Sequence, residues 1–471
     1  MSQLSTRSDP RFEQLSAAVP GRWWISDAPD SAVGGILRTD GSVGSLELLG
    51  SLVEHGEIDR TFTILGESTN GELLTIPGAW SSTYRTVQNR QEPEDSFDYQ
   101  TLGFFEVLRG AHFVDGDSQL FDSFNFAGRA LTSWINKDLI NVDIPSGQPI
   151  TVSIDLPEQM TIPLPDGDLC LQWLRSWSMG LDVSIQSIPT LTWHPTTPMS
   201  WESALKSVVR PIEFFLSLVS GECVTFDEFT VASGDPTIER SRTAHVVAAR
   251  YSGNDVDVGL RPWKSLIDYE SVEDDFPAVL SRWVQLARNH RSAMVQFFSV
   301  ASAPDSFAEE TFLSTVRALE IWHRGAVGGI AMSKGKFKAL RDAVRGAVSR
   351  SDWTFLSRRL SHANEPSLKE RLDSMLENSV EEYSEVVATY HRFSRRVVDT
   401  RNVFTHRGTQ ESRPFTDDEM QFAEVACATL FKLTVLQAVG LGGIAAGRLA
   451  FTDDWRWLAA PSNPLVAANR H

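Results

Sequence analysis

Two hydrophobic periods divide the chain. Over the first two hundred residues, apolar and polar positions alternate in short runs at 36–37, 45–49, 61–65, 72–76, 101–108, 151–156, 168–174 and 182–188, punctuated by Gly, Pro, Asp and Asn. A period of two with such breaks predicts strands folded as an antiparallel sandwich or barrel-like sheet. Between 201 and 222 the spacing of Leu205, Val208, Val209, Ile212, Phe215 and Leu216 turns helical, with Pro211 placed to kink it. Strand-like pieces return at 226–231 and 244–251, and the acidic stretch SVEDD at 271–275 marks the boundary. Beyond it the period is 3.6, predicting helices over 276–300, 306–324, 334–349, 367–377, 381–403 and 417–439, an all-α bundle of about 170 residues. The expected order is a polar lead-in (1–20), a β-rich module (21–270), a helical domain (275–450) and a tail (451–471), an α+β multidomain protein.

Composition narrows this outline. At 471 residues, with 42 % hydrophobic and 22 % charged residues, the chain can bury more than one core. Cys170, Cys223 and Cys427 lie far apart, with no CxxC pair and no histidine at ligand spacing, which argues against a disulfide framework or a zinc site and fits a reducing cytoplasm. The opening MSQLSTRSDPRFEQL lacks an apolar signal core. The longest apolar run, 433–446, holds Gln437 and several Gly and falls short of a membrane span, so a buried helix is expected there and no membrane partner.

Net charge is −18, which taken whole opposes a nucleic-acid partner. The average conceals an asymmetry. Residues 275–411 carry 20 Lys and Arg against 16 Asp and Glu, and the rest of the chain 23 against 45. A helical region of positive balance permits an RNA contact.

The chemistry concentrates at RNVFTH, 401–406. In the helix expected from Glu381, Tyr383, Val387, Tyr390, Ser394, Val397, Arg401 and Phe404 recur three or four residues apart, so Arg401 continues an apolar, inward-facing stripe. A guanidinium there needs a carboxylate of the fold or a phosphate from outside. Gly408 is a natural helix stop, which puts His406 on the last turn or in the following loop. On an ideal helix the five-residue spacing separates the Arg401 and His406 side chains by about 140°, so unwinding or a second subunit would help them converge.

RNVFTH resembles the R-[polar]-x(3 to 5)-H motif of HEPN ribonucleases. LEIWHR at 319–324, followed by the long helix into RNVFTHRG, resembles the ApeA-like HEPN domain, and GRWWISDAPDSAVGGILRTDGSVGSLELLG at 21–50 is similar to the ApeA N-terminal domain. The resemblance spans most of the chain and implies a bacterial anti-phage, abortive-infection ribonuclease in which the sites of two subunits meet across a two-fold axis. It also implies RNA as substrate, transfer RNA among the plausible targets, a phage-derived trigger and no cofactor or metal. The bare Arg…His pattern is unselective: chance gives about two matches in a chain of this composition, and Arg240…His245 and Arg317…His323 match as well as Arg401…His406. Only Arg401 has a polar Asn neighbour, a preceding amphipathic helix and a Gly-containing loop after it.

Such a set suits metal-independent RNA cleavage, in which the 2′-hydroxyl attacks the adjacent phosphorus and leaves a 2′,3′-cyclic phosphate. His406 has the intrinsic pKa to move a proton near neutrality, and Arg401 offers a forked positive charge to the phosphate. Asn402 can orient the 2′-hydroxyl or hold the imidazole, and Thr405 stands in the same turn. Glu320 borders the apolar face of its helix and could pair with Arg401. His323 and Arg324 follow on what reads as a solvated helix end, where they could touch substrate, as could Arg407. Lys334, Lys336 and Lys338, with Arg341 and Arg345, form a basic cluster able to track an RNA backbone. GGIAMSKGKF at 328–337 fails as a phosphate loop, because the Gly spacing is one too long and Phe337 stands where Ser or Thr would bind Mg²⁺. Two functions follow: an RNA endonuclease whose β-rich part senses an infection signal or restrains the cut, or a non-catalytic HEPN module that binds nucleotide or protein, with the β-rich part as the main binding surface.

Overall fold

The computed structural model describes residues 18–39, 43–53, 60–88, 96–114, 120–144, 151–179, 183–226, 228–234, 242–248, 261–301, 307–388, 392–405 and 412–460. The chain forms two compact units, Met1–Leu216 with Val224–Leu260, and Ser217–Cys223 with Arg261–His471.

The first unit starts with β1 (Val19–Ile25), β2 (Val33–Arg38), β3 (Gly44–Leu49), β4 (Thr61–Ser68), β5 (Leu73–Gln88) and β6 (Ser96–Phe104). They pair antiparallel in the order β5-β4-β1-β2-β3-β6, and β6 returns to β5, closing a six-stranded barrel. Alternation fills it: Gly44, Leu46 and Leu48 of β3 point inward with Trp23, Ile64 and Ile76. Gly66 leaves room for the Trp23 indole, since a Cβ there would lie 2.2 Å from the ring. The indole N–H donates to Gly35 O at 3.3 Å.

The sheet continues from β5 through β7 (Glu106–Arg109) to strands later in the chain. These are β8 (Ser123–Ala127), β11 (Met160–Leu164), β12 (Gly167–Met179), β13 (Val183–Pro195), β14 (Glu228–Ser233) and β15 (Arg242–Ala248), in the order β7-β15-β14-β8-β13-β12-β11. A helix α1 (Arg129–Ile135) and a separate hairpin of β9 (Ile140–Asp143) and β10 (Thr151–Ile154) intervene. The run expected at 101–108 is two strands, because the chain turns at Phe105, which is 52 % exposed. Pro211 has no amide to donate, and the preceding helix α2 (Trp201–Ala204) widens into a π turn at Leu205–Val209 before α3 (Arg210–Ser220).

The second unit is helical: α4 (Phe276–Asn289), α5 (Arg291–Ala301), α6 (Ala308–Ala326), α7 (Lys334–Ala347), α8 (Arg350–Arg359), α9 (Leu368–Glu377), α10 (Glu381–Ala388), α11 (Phe393–Thr405), α12 (Asp417–Val439), α13 (Gly442–Arg448) and α14 (Asp453–Leu458). Its centre is α12, opened by a capping box of Thr416 and Glu419 and closed at Gly440 with φ +90°. Among the described residues α12 is the one helix long and apolar enough to cross a membrane, yet 61 % of that apolar window is buried within the protein. Against α12 pack α6, α4 and α9.

Two expected helices are divided. The first, 276–300, breaks at His290, whose carbonyl is taken by Ala293 N at 2.9 Å. The second, 381–403, splits into α10 and α11, with Arg392 in the left-handed region at φ +59°. Helix α8 forms where none was expected, begun by Ser349 accepting from Asp352 N.

Candidate active site

The expected inward stripe is kept across the break between α10 and α11: Tyr383, Val387, Ser394 and Val397 are all buried. In α11 the buried side chains are Phe393, Ser394, Val397, Asp399 and Thr400. The stripe gives out at the helix end, where Phe404 is 43 % exposed. Arg401 and Asn402 lie at its edge, both half-buried, and Arg401 Nη1 donates to Asn402 Oδ1 at 3.2 Å. Thr405 closes the helix, exposed, with its hydroxyl donating to Arg401 O at 2.7 Å. That bond is the back-bond to the carbonyl one turn earlier that a helical Thr commonly makes, added to the helix ladder. His406 and Arg407 lie outside the described residues.

The chain on both sides of 406–411 is held firmly. Thr400 is fully buried, its hydroxyl donating to Arg396 O at 2.8 Å and accepting from Phe415 N at 2.8 Å. Asp399, 4 % exposed, accepts from Arg413 N at 3.0 Å and pairs with Arg395 at 3.1 Å. Arg396 lies over the Phe415 ring at 4.4 Å and forks onto Glu419, one arm at 2.9 Å. Burial alone would raise the Glu419 carboxyl, but Arg396 and the Thr416 N–H and hydroxyl outweigh it and hold it below the usual range. None of these anchoring residues was singled out from sequence. Thr-Asp-Asp-Glu at 416–419 carries a readable capping-box signal, whereas the buried Asp399 and Thr400 look like ordinary helix polar residues.

On α6, Glu320 accepts from Arg324 at 3.2 Å, and Arg324 also faces Glu365 at 3.5 Å. The carboxylate suggested as a partner for Arg401 is thus drawn to the cation one turn along. His323 is not on a solvated end: it is 3 % exposed, and its Nδ1 accepts from Arg371 Nη1 at 3.0 Å. Burial, then the Arg371 charge, lower its pKa, so the ring stays neutral. The alternative pair Arg317…His323 does not converge, Arg317 being exposed and His323 buried on the same helix. His245 instead sits in β15 beside Thr230 Oγ1 at 3.3 Å, and Arg240 lies outside the described residues.

Helices α7 and α8 bury none of their residues. Lys334, Lys336, Lys338, Arg341 and Arg345 are all exposed on α7. Arg345 of α7 lies 6.0 Å over Trp353 of α8, and within α8 Arg359 lies 3.9 Å over Phe355. The arrangement can meet a polyanion with charge and aromatic faces together.

Comparison with known families gives two matches in chain order. A family model described as ApeA N-terminal domain 1 covers residues 19–283, and one described as Apea-like HEPN covers 313–442, the stretch from α6 to the start of α13 that holds the Arg–Asn pair. No curated protein and no solved structure matches the chain.

Proposed function

The chain belongs to the ApeA family, an ApeA N-terminal domain 1 followed by an Apea-like HEPN domain, and on that premise we propose that it is a cytoplasmic RNA endonuclease of anti-phage defence. The observation that carries the reading is the placement of Arg401 and Asn402. They stand half-buried in the last turns of a helix whose Thr400 ties it to Phe415, five and four residues before His406 in sequence.

The reaction needs three things. A base takes the 2′-hydroxyl proton, and the oxygen attacks the adjacent phosphorus. Charge growing on the phosphoryl oxygens is met by a fixed cation. The departing 5′-oxygen receives a proton, leaving a 2′,3′-cyclic phosphate and a 5′-hydroxyl. Arg401 supplies the cation, its fork matched to phosphate geometry. His406 supplies one proton transfer and a second copy of the chain, meeting the first across a two-fold axis, the other. With its Oδ1 already accepting from Arg401, Asn402 has its amide N–H₂ left to hold the 2′-oxygen or the imidazole. The basic arm of α7 and α8 tracks the RNA backbone, and the β-rich unit senses the infection signal or restrains the cut.

Purified protein should cut RNA in EDTA, spare DNA, and leave cyclic phosphate ends. His406→Ala should abolish cutting while circular dichroism and melting stay those of the wild type. Equal cutting by that variant would overturn the assignment and favour a non-catalytic HEPN module.

A further inference from the structure

Helix α8 is 10 residues long and buries none of them. Its half-buried apolar side chains Trp353 and Leu356, with Leu360 just beyond, keep helical spacing and make one stripe. Phe355 is off that stripe, about 130° round the helix, and is 58 % exposed. Nothing in the packing of α8 needs a phenyl ring there. One turn on, Arg359 sets its guanidinium 3.9 Å from the ring centroid, a stacked cation–π pair. The guanidinium covers one face of the ring, and what stays exposed is the other face and the edge.

The charge around this ring says what can lie on it. Residues 334–359 carry eight Lys and Arg against Asp342 and Asp352, a balance of +6 in a chain of −18, and all eight cations are exposed. The occupant is therefore a polyanion, and one with flat faces to offer. Duplex RNA hides the faces of its bases inside the stack, whereas an unpaired strand can splay one out onto an aromatic ring or a guanidinium. An anionic lipid surface would match the charge, but sinking Phe355 into it would carry the Arg359 guanidinium toward hydrocarbon, at high cost. On a single strand the guanidinium stays in water beside the phosphates.

We propose that Phe355, backed by Arg359, is a stacking site for one unpaired base, so that α8 selects single-stranded over duplex RNA of the same backbone. The base lies on the open face of the ring, and the phosphates beside it meet the cations of α7 and α8. The inference rests on RNA as the substrate and adds a site that reads strand state to an arm that otherwise reads charge.

The test titrates the full chain into a fluorescein-labelled 2′-O-methyl oligoribonucleotide, single-stranded or annealed to its complement, and reads binding by anisotropy. The blocked 2′-oxygen cannot attack, so the probe is bound without being cut. The single strand should bind more tightly than the duplex. Phe355→Ala should weaken the single strand by about five- to a hundredfold, the scale of one base on one aromatic ring, and leave the slope of affinity against salt unchanged, because no phosphate contact is lost. Phe355→Trp should bind as the wild type does, and Phe355→Leu, apolar but without a π face, should bind as Phe355→Ala does. Failure of the wild type to bind the single strand, or equal affinity in Phe355→Ala, overturns the proposal. So does full binding by Phe355→Leu, which together with uptake onto phosphatidylserine vesicles would make the ring a membrane anchor. Binding that depends on Phe355 in a protein that never cuts RNA would sink the nuclease reading and leave this site standing. Cutting by a protein whose Phe355→Ala variant binds as tightly as the wild type would do the reverse.

Discussion

At the start of α9 the guanidinium of Arg371 is 2 % exposed and directs its donors to two backbone carbonyls, the His323 ring and the edge of Glu365. At the end of α11 that of Arg401 is half-buried, and its side-chain hydrogen bond among the described residues runs to the neighbouring Asn402. The same side chain thus serves two ends. Where its Nε and Nη1 donors are taken up by the fold it ties segments together, and where, among the described residues, one side-chain hydrogen bond holds it at a half-open helix end it is fit to meet a phosphate. The largest expected effect tests the second half of that contrast. Arg401→Ala should lower RNA cutting by about 10²–10³ while melting of the protein shifts little. A melting loss as large as the loss of cutting would make Arg401 a structural tie and erase the comparison.

Arg371 should show the opposite pattern. Arg371→Met removes a buried cation and strands three acceptors, Pro366 O, Gly328 O and His323 Nδ1. A loss of roughly 2–4 kcal/mol of stability is expected from that many broken buried bonds, read from the urea midpoint of the helical signal. An unchanged midpoint would show that Arg371 is as dispensable to the fold as a surface residue.

The contrast between these arginines was only half legible in the sequence. Periodicity found most helices and the β-rich character of the first unit, and the RNVFTH string with its Gly pointed to Arg401 because local sequence carries helix ends. It did not reveal Arg371, whose partners His323, Gly328 and Pro366 come together only when α6 and α9 pack. For the same reason His323 read as a solvated helix end: its neighbours Arg324 and Glu320 are polar, and burial there is imposed from α9. The break before α11 was hidden too, since Arg392 adopts a left-handed conformation without being Gly or Asn. Closure of the barrel depends on β5 pairing with β4 over Leu73–Trp80 and with β6 over Trp80–Gln88, a property of register that alternation cannot state.

A third arginine lies between the two extremes. Arg396 is 21 % exposed, pairs with Glu419, 16 % exposed, and fixes the chain after the candidate site to α11. Glu419→Gln should cost about 1–2 kcal/mol, the scale of a charge-assisted bond near the surface. The same pair sets a pH dependence. The folded carboxyl titrates below its unfolded value, so its stabilisation is complete above the ordinary carboxylate range and is lost as pH falls through the lowered folded pKa. Wild-type melting should therefore fall more steeply in acid than that of Glu419→Gln. Parallel acid limbs would mean that the ion pair contributes nothing to folding.

The smallest effect on stability is expected on α7, where the comparison reaches its open limit: basic residues with no burial at all. Replacing Lys334, Lys336 and Lys338 together by Gln should change melting by no more than about 0.5 kcal/mol each, because none of the three is buried. Binding is where they should register. Each lysine that neutralises a phosphate of single-stranded RNA contributes about 0.7 to the slope of log affinity against log salt. The triple variant should therefore flatten that slope by up to about 2 and weaken binding most at low salt. A parallel slope with unchanged affinity would mark α7 as a solvated face, and would leave Arg401 to meet the RNA without help from the arm.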